Sequence, residues 1–347
     1  MYAITGGGTG GHLAIAKALA QALCKDHKSV IYIGSNLGQD RAWFEHSPLF
    51  RQCYFLDSIG VVNKRGLSKV KALCKQLVCV LKARKILKSN QVKCVISVGG
   101  FSAGGASIAA ILSHIPLFIH EQNAIKGKLN AILSPFAKAV FGSFEGSGKH
   151  FVRTSYPVRD EFFKYARVRD GITQVLFLGG SQGAKGINDF ALKLSPQLLQ
   201  KGIKVAHQCG ERDYERVRGA YQAMSLLDKV TLFAFDGEIV KHLERADICI
   251  ARSGASSLWE MSANGLIGVF VPYPYAAKDH QYYNALSFAK EGLGLVIRES
   301  ELDSTEVLAF LESMQGDKLK ECSQKVMSKI KPNGAEEILG HIYAYVR

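Results

Sequence analysis

A chain of 347 residues with 44 Lys and Arg against 30 Asp and Glu carries a formal charge of +14, and 47% of its residues are hydrophobic and 21% charged. That composition excludes a disordered chain, and the length favours two domains over a single core. The basic excess predicts an anionic partner (nucleic acid, a phosphorylated substrate or an acidic lipid surface), while eight scattered cysteines without a C-x-x-C pair speak against a zinc site or disulfide framework and suit a reducing cytoplasm.

The first predicted element is the short apolar run Tyr2-Ala3-Ile4, a buried strand. It leads into Thr5-Gly6-Gly7-Gly8-Thr9-Gly10-Gly11-His12 and then into helix formers from Leu13 to Leu23. Glycines stand where the apolar core of a signal peptide would lie, so none is expected. Strand, glycine loop and helix together aim backbone N–H groups and a positive helix end at an anion. The spacing Gly6-x-Gly8-x-x-Gly11 fits the dinucleotide fingerprint, yet the second strand, Val30–Ile33, ends in Gly34-Ser35-Asn36 without a carboxylate for a ribose. A P-loop needs Gly-Lys-Ser/Thr, and Gly11 is followed by His12. Two readings remain: a loop that delivers a histidine to a helix N-terminus, or a tight βα turn with an incidental His12.

A short helix is expected over Asp40–His46 and a third strand over Gln52–Leu56. A helix over Lys64–Lys88 follows, with nine basic residues, Lys69, Lys71, Lys75 and Lys82 among them, and no acid. Leu67, Val70, Cys74, Leu77 and Leu81 form an apolar stripe, widened by Leu73, Val78 and Val80. Such a helix suits either an anionic lipid interface or the sheet surface with a solvated basic back.

The strand Lys93–Val98 runs into Gly99-Gly100-Phe101-Ser102-Ala103-Gly104-Gly105, where Gly100-x-Ser102-x-Gly104 matches the nucleophile elbow of serine hydrolases. In that reading Ser102 is the nucleophile, with Asp247 and His280 far along the chain as its partners. The long uncharged run around it is broken by glycines and Pro116, which argues against a membrane span. The strand Leu117–His120 delivers Glu121-Gln122-Asn123 to the carboxyl end of a parallel sheet, where open sheets place their sites. A further strand covers Ala139–Phe141, and Tyr156-Pro157-Val158-Arg159 reads as the turn out of the first domain.

The second half repeats the plan. The strand Val175–Leu178 is followed by Gly179-Gly180-Ser181-Gln182-Gly183-Ala184 and a helix to Leu199, with later strands at Val205–Gln208 and Val230–Phe233. Asp247–Ile250 enters Ala251-Arg252-Ser253-Gly254-Ala255-Ser256-Ser257-Leu258-Trp259-Glu260, whose small and hydroxyl residues suit a phosphate at a helix N-terminus. Glu260 then either reaches a ribose diol or serves only the helix dipole. The strand Val269–Pro272 precedes a helix opened by Asp279–Ala285, and Leu302–Arg347 is expected to be helical.

Taken in order, Thr5–His12, Gly99-Gly100-Phe101, His120–Asn123, Pro157–Arg159, Gly179–Ala184, Arg252–Glu260 and Asp279–Ala285 resemble the MurG family over nearly the whole chain. Its members are the N-acetylglucosaminyltransferases that convert lipid I to lipid II in peptidoglycan synthesis. The resemblance implies an α/β, GT-B architecture with two Rossmann-like domains facing across a cleft. Residues 1–158 would bind lipid I and the membrane, 159–330 would bind UDP-GlcNAc, and a helix within 331–347 would pack back on the first domain.

The position of His12 at a helix N-terminus, where the dipole disfavours a second proton, makes it the candidate catalytic base, with Glu121 on the neighbouring loop as the competing one. The resemblance further implies the binding residues. Thr9, Gly10, Gly11, Asn123, Arg159, Ser181, Asp236, Ala255, Ser256, Ser257, Glu260 and Gln281 would hold the donor, with uracil read by backbone groups near Asp236. Gly8, Gly99, Gly100, Phe101, Ser102 and Gln122 would hold the acceptor, and Lys69, Lys71, Lys75, Leu77, Leu81 and Lys82 would meet the membrane. No cofactor or metal is expected, since the chain has no Asp-x-Asp pair. The expected partners are UDP-GlcNAc, lipid I, anionic inner-membrane lipid and proteins of cell-wall synthesis or division, without nucleic acid, at the cytoplasmic face of the inner membrane. The chain departs from the family pattern at Ile15, where proline is common, at Tyr156, where asparagine is usual, and across Phe101–Gly105. A transferase using another UDP-sugar, a hydrolase, or a non-enzymatic binder of nucleotides or acidic polymers are the competing readings.

Overall fold

The computed structural model of the protein describes residues 1–60, 66–180 and 183–346, with all their side chains but those of 67, 69 and 70. Ser181 and the side chain of Lys69 therefore lie outside the described residues. The chain forms two compact units, 1–158 with 333–347 and 159–332.

In the first unit β1 (Tyr2–Thr5), β2 (Val30–Ser35), β3 (Gln52–Leu56), β4 (Cys94–Ser97), β5 (Leu117–Glu121), β6 (Ala139–Gly142) and β7 (Phe151–Arg153) alternate with helices. These are α1 (Gly10–Lys25), α2 (Asp40–Phe44), α3 (Gly66–Ser89), α4 (Gly104–Leu112) and α5 (Lys128–Leu133). The strands pair in parallel in the order β3-β2-β1-β4-β5-β6-β7. Helices cover both faces of such a sheet, so its strands are apolar throughout: Ile4, Ile31, Ile33, Val95, Ile96, Phe118 and Ile119 are wholly buried. The strand order reverses between β1 and β4. There the outgoing loops diverge and leave a crevice at the carboxyl ends of the strands.

The second unit has the same construction. It begins with α6 (Asp160–Lys164), β8 (Gln174–Leu178), α7 (Lys185–Gln200), β9 (Lys204–Gln208), α8 (Tyr214–Ala223) and β10 (Val230–Phe233). Next come α9 (Ile239–Arg245), β11 (Ile248–Ala251), α10 (Ala255–Asn264), β12 (Ile267–Phe270), α11 (His280–Ala289) and β13 (Gly294–Val296), before α12 (Ser304–Ser313) and α13 (Gly316–Ser328). Its parallel order is β10-β9-β8-β11-β12-β13, reversing between β8 and β11.

The last helix, α14 (Gly334–Tyr345), belongs to the first unit. It buries Ile338, Leu339 and Ile342, and its Tyr343 hydroxyl donates to Asp26 Oδ2 at 2.7 Å. Glu337 accepts the Ser155 N–H at 2.8 Å.

On α3 the packing differs from the expected stripe. Ala72, Cys79, Val80, Ala83 and Leu87 are buried, whereas Leu77 and Leu81 are 60% and 59% exposed and Leu73 and Val78 are exposed beside them. The cause is the partner helix. On α4, Ala106, Ala109 and Ala110 are fully buried, and a Cβ on Gly105 would stand only 3.0 Å from Cys79 Cβ. Helices this close accept only small residues between them, so the large aliphatic side chains turn outward. Among the described residues no helix is long and apolar enough to cross a membrane.

This packing predicts a reversal of the usual hydrophobic rule. Ala83→Leu should overpack the α3–α4 seam and cost about 1–3 kcal/mol, while Leu81→Ser should stay within about 0.5 kcal/mol of wild type. Urea unfolding of the two variants checks it, and equal losses would show that Leu81 is part of the core.

Candidate active site

At the reversal point of the first sheet two glycine loops lock backbone to backbone. Gly6 has φ +116°, and a Cβ there would stand 2.3 Å from the Gly99 carbonyl oxygen. Gly100 has φ +80°, and a Cβ there would stand 2.1 Å from the Gly7 carbonyl oxygen. The Gly7 N–H donates to Gly99 O at 3.1 Å. Below the first loop Asp40 is wholly buried, and it accepts from Gly8 N at 2.6 Å, from Ser35 N at 3.1 Å and from the Tyr32 hydroxyl at 2.9 Å. Burial, followed by the neighbouring Asp40, raises the Tyr32 pKa well above the phenol's ordinary value. The amides of Gly7 and Gly8 are thus engaged inside the protein. Gly8 meets the Phe101 ring instead, which a Cβ would approach to 2.4 Å. Beyond these two glycines come Thr9 and the first turn of α1, which begins at Gly10.

His12, in the first turn of α1, has Nδ1 2.9 Å from Thr9 Oγ1 and Nε2 3.0 Å from the Gln122 side-chain nitrogen. With that amide as donor, Nε2 is the unprotonated ring nitrogen and Nδ1–H points to Thr9, a tautomer assigned from its partners. Gly99 gives the imidazole its room, since a Cβ there would be 3.3 Å from His12 Nε2. His120 lies nearby, fully buried. Burial, and after it the charge of His12, pushes its pKa down to about 3, so His120 stays neutral.

Glu121, the alternative base, is committed elsewhere. Its Oε1 accepts from Asn123 N at 3.1 Å, and its Oε2 accepts from Gly127 N at 2.9 Å and Asn130 Nδ2 at 2.8 Å. A buried carboxylate with three donors organises the 122–127 loop and so holds Gln122 against His12. Ser102 is buried with its hydroxyl unpartnered among the described residues. Asp247 sits at the amino end of β11 and accepts from Arg167, Thr173 and Gln174. His280 Nδ1 is 2.9 Å from the Ala277 carbonyl. Asp247 and His280 both belong to the second unit and are held by partners of their own, and no hydrogen bond to Ser102 Oγ is made among the described residues, so the hydrolase reading is not favoured.

In the second unit the loop after β8 and the start of α10 flank the reversal point. Gly254 precedes Ala255, Ser256 and Ser257 and has no side chain to cap α10. A cavity of about 310 Å³ is lined by Gly183, Ala184, Gly186, Arg252, Gln281 and Glu299, among others. Gln281 Oε1 accepts from Tyr273 N at 2.9 Å, so what it can offer a ligand is its NH₂ group. Asp236 uses its carboxylate to hold the turn before α9, accepting from Glu238 N and His242 Nε2 at 2.8 Å each, which leaves its backbone for contact with a base.

Glu260 lies in α10 near Arg159. Burial pushes its carboxyl pKa up to about 7, Arg159 pulls it down and Glu161 pushes it up. Arg159 is itself paired with Glu161 at 2.6 Å. Sequence reasoning missed Asp40 and Glu299, and it gave Arg252 no role. Asp40 binds two backbone N–H groups and a hydroxyl, and the partner of Glu299 lies 47 residues away, so no motif marks either. Among the described residues no three His, Cys, Asp or Glu side chains converge as a metal would require.

Two Rossmann-like units, each with a glycine loop and a helix N-terminus at its sheet reversal, define the GT-B class of glycosyltransferases. The glycosyltransferase family 28 N-terminal domain matches residues 2–142 and its C-terminal domain residues 174–339. The chain is 69% identical, over 99% of its length and 98% of the relative's, to the UDP-N-acetylglucosamine–N-acetylmuramyl-(pentapeptide) pyrophosphoryl-undecaprenol N-acetylglucosamine transferase of Helicobacter hepaticus. It is 52% identical to the enzyme of that name from Helicobacter pylori strain P12, with 97% and 98% covered. The crystal structure of Acinetobacter baumannii MurG superposes with a TM-score of 0.81 at 28% identity, covering 99% of each chain. The chain belongs to the MurG family.

The Glu260 shift has a consequence for stability. Its folded pKa, about 7, lies above the ordinary 4.5, so the native state holds the extra proton between those values. Stability is then lost as pH rises through that window. Relative to Glu260→Gln, the wild type should lose roughly 1–3 kcal/mol between pH 5 and pH 8. Parallel urea curves for the two proteins would discount the shift.

Proposed function

We propose that the protein transfers N-acetylglucosamine from UDP-GlcNAc to the C4 hydroxyl of the MurNAc of lipid I, giving lipid II with inversion at the anomeric carbon. The observation that carries the mechanism is His12. Its Nδ1 is tied to Thr9, its Nε2 lone pair, held by the Gln122 amide in the free protein, is yielded to the acceptor hydroxyl, and its position at the start of α1 disfavours a resting positive charge. In the reaction His12 Nε2 takes the C4 hydroxyl proton as that oxygen bonds to GlcNAc C1. The bond from C1 to the diphosphate oxygen breaks, and UDP departs with the electron pair. The acceptor diphosphate meets the amides from Thr9 to His12 and the loop carrying Gly99, Gly100 and Phe101.

The donor lies on the second unit. Ribose meets Glu260, uracil meets the backbone near Asp236, and the diphosphate meets the starts of α7 and α10. Charge developing on the leaving group is stabilised by fixed dipoles, which need no reorganisation during the reaction. Arg159 supports Glu260, and Gln281 with Asn123 contacts the sugar. Glu121 acts as the positioning residue for Gln122.

The protein works as a peripheral enzyme on the cytoplasmic face of an anionic membrane. Leu73, Leu77, Val78 and Leu81 on α3 face outward, with Lys71, Lys75 and Lys82 on the same helix. This arrangement suits insertion of aliphatic groups between acidic headgroups.

Transfer of labelled GlcNAc to a lipid I analogue tests the activity. General base catalysis is worth about 10²–10⁴ in rate, so His12→Gln should lower kcat by that order, leave the KM for UDP-GlcNAc nearly unchanged and flatten the acidic limb of the pH–rate profile. An intact acidic limb with kcat within about tenfold of wild type would remove His12 from the base role.

The membrane contact has its own test. Replacing Lys71, Lys75 and Lys82 by Glu should cut partitioning onto anionic vesicles by roughly two orders of magnitude, at about 1 kcal/mol per basic residue. Turnover of a short-chain soluble acceptor should persist. Unchanged vesicle binding would place the membrane contact elsewhere.

A further inference from the structure

The segment that follows β13 sends two charged side chains in opposite directions. Arg298 donates to Asp279 Oδ2 at 2.7 Å, and its guanidinium lies 4.3 Å from the Tyr282 ring centre. Both contacts hold the segment against the start of α11. Glu299 points the other way and accepts from Arg252 Nη2. Its carboxylate lies so close to Gly186 that a Cβ there would stand 2.3 Å from Cδ and 2.6 Å from each oxygen. Gly186 is the second residue of α7, so this negative charge rests in the first turn, at the positive end of the helix.

Arg252 is equally constrained. Its Nη1 donates to the carbonyls of Val271 and Pro272 at 3.3 and 3.2 Å, and its guanidinium lies 5.5 Å from the Tyr273 ring centre. Both members of the ion pair are largely shielded, with side-chain exposures of 18% and 30%, and both line the 310 Å³ cavity.

We infer that Glu299 is an internal counter-anion of the donor site, competing with the donor's diphosphate for Arg252 and the first turn of α7. The inference rests on the proposed donor role of the second unit and concerns what sets affinity there. The guanidinium and the helix end are the groups a diphosphate seeks, and a carboxylate already neutralises both. A diphosphate must therefore displace Glu299 or bind beside a like charge, and either event weakens it. A nucleoside without phosphates meets no such opposition. Glu299 thus limits the hold on the diphosphate while leaving recognition of base and ribose intact, which favours release of UDP after each transfer.

Calorimetry on the full-length protein with UDP and with uridine tests this. Glu299→Gln keeps a hydrogen-bonding oxygen for Arg252 and removes the charge. It should tighten UDP by roughly three- to tenfold, the size expected for one partly shielded ion pair, with uridine unchanged and the gain shrinking as salt is raised. Glu299→Ala should behave in the same direction, and Arg252→Gln should weaken UDP without affecting uridine. Thermal melts confirm that each variant is folded. UDP affinity unchanged or weakened in both Glu299 variants would overturn the inference, because Glu299 would then only be holding Arg252 in place. An equal shift for uridine would overturn it as well. A wild-type protein that binds neither UDP nor uridine would instead overturn the donor reading on which it rests.

Discussion

Gly6 and Gly100 press their loops together so closely that a side chain on either would run into the other's backbone. The orientation of His12 depends on that contact. The loop that ends at His12 is clamped from above by the 99–101 backbone and from below by Asp40, which takes the Gly8 amide. A backbone fixed on both sides leaves α1 one direction in which to start, and the imidazole of its first turn one place to stand. Gln122 then meets it from β5, on a loop that Glu121 holds by three hydrogen bonds. Asp40 and Glu121 are therefore both committed to holding loops, which supports the proposed role of the imidazole.

The second unit reaches a comparable end by charge balance. Its reversal point collects a helix start at α7, another at α10 and the guanidinium of Arg252, all attractive to an anion. Left uncompensated, such a site would hold any diphosphate tightly, product as well as substrate. Glu299 tempers it from a segment that otherwise belongs to the edge of the sheet. Glu260 brings a second tension, since burial raises its pKa to about 7 while a ribose diol is best met by its charged form. Under the proposed ribose role, hydroxyl donors would offset that desolvation and couple recognition of the sugar-nucleotide to the loss of a proton.

Much of this was legible in the sequence, for identifiable reasons. Strand, glycine loop and helix follow one another locally, so residues 2–23 and 175–199 show their structure without tertiary information. The strand Val230–Phe233 is found where its apolar run predicts. The three-residue edge strands β7 and β13 carry no periodic signal and are only half-buried, so they were not predicted. The ordered motifs pointed to the family, whereas Asp40 could not be read because it binds two backbone N–H groups and a hydroxyl, and Glu299 because it meets a charge remote in the chain. The apolar stripe on α3 was visible, but its direction was not. Nothing in residues 66–89 alone says that α4 will offer an alanine surface and exclude leucine from the seam.

That exclusion links the core of the first unit to its surface. A helix whose buried side along residues 72–83 is limited to Ala72, Cys79, Val80 and Ala83 has its leucines there left for the outside, and they fall at four-residue steps, Leu73, Leu77 and Leu81. Water alone would select against such a face, and a helix lacking acids cannot screen its own lysines by internal ion pairs. The proposed anionic membrane surface would resolve both anomalies at once, since there leucines leave water and lysines meet phosphate. The close packing of α3 on α4 and the exposed basic leucine face are thus two sides of one constraint, the narrowness of the seam between the helices.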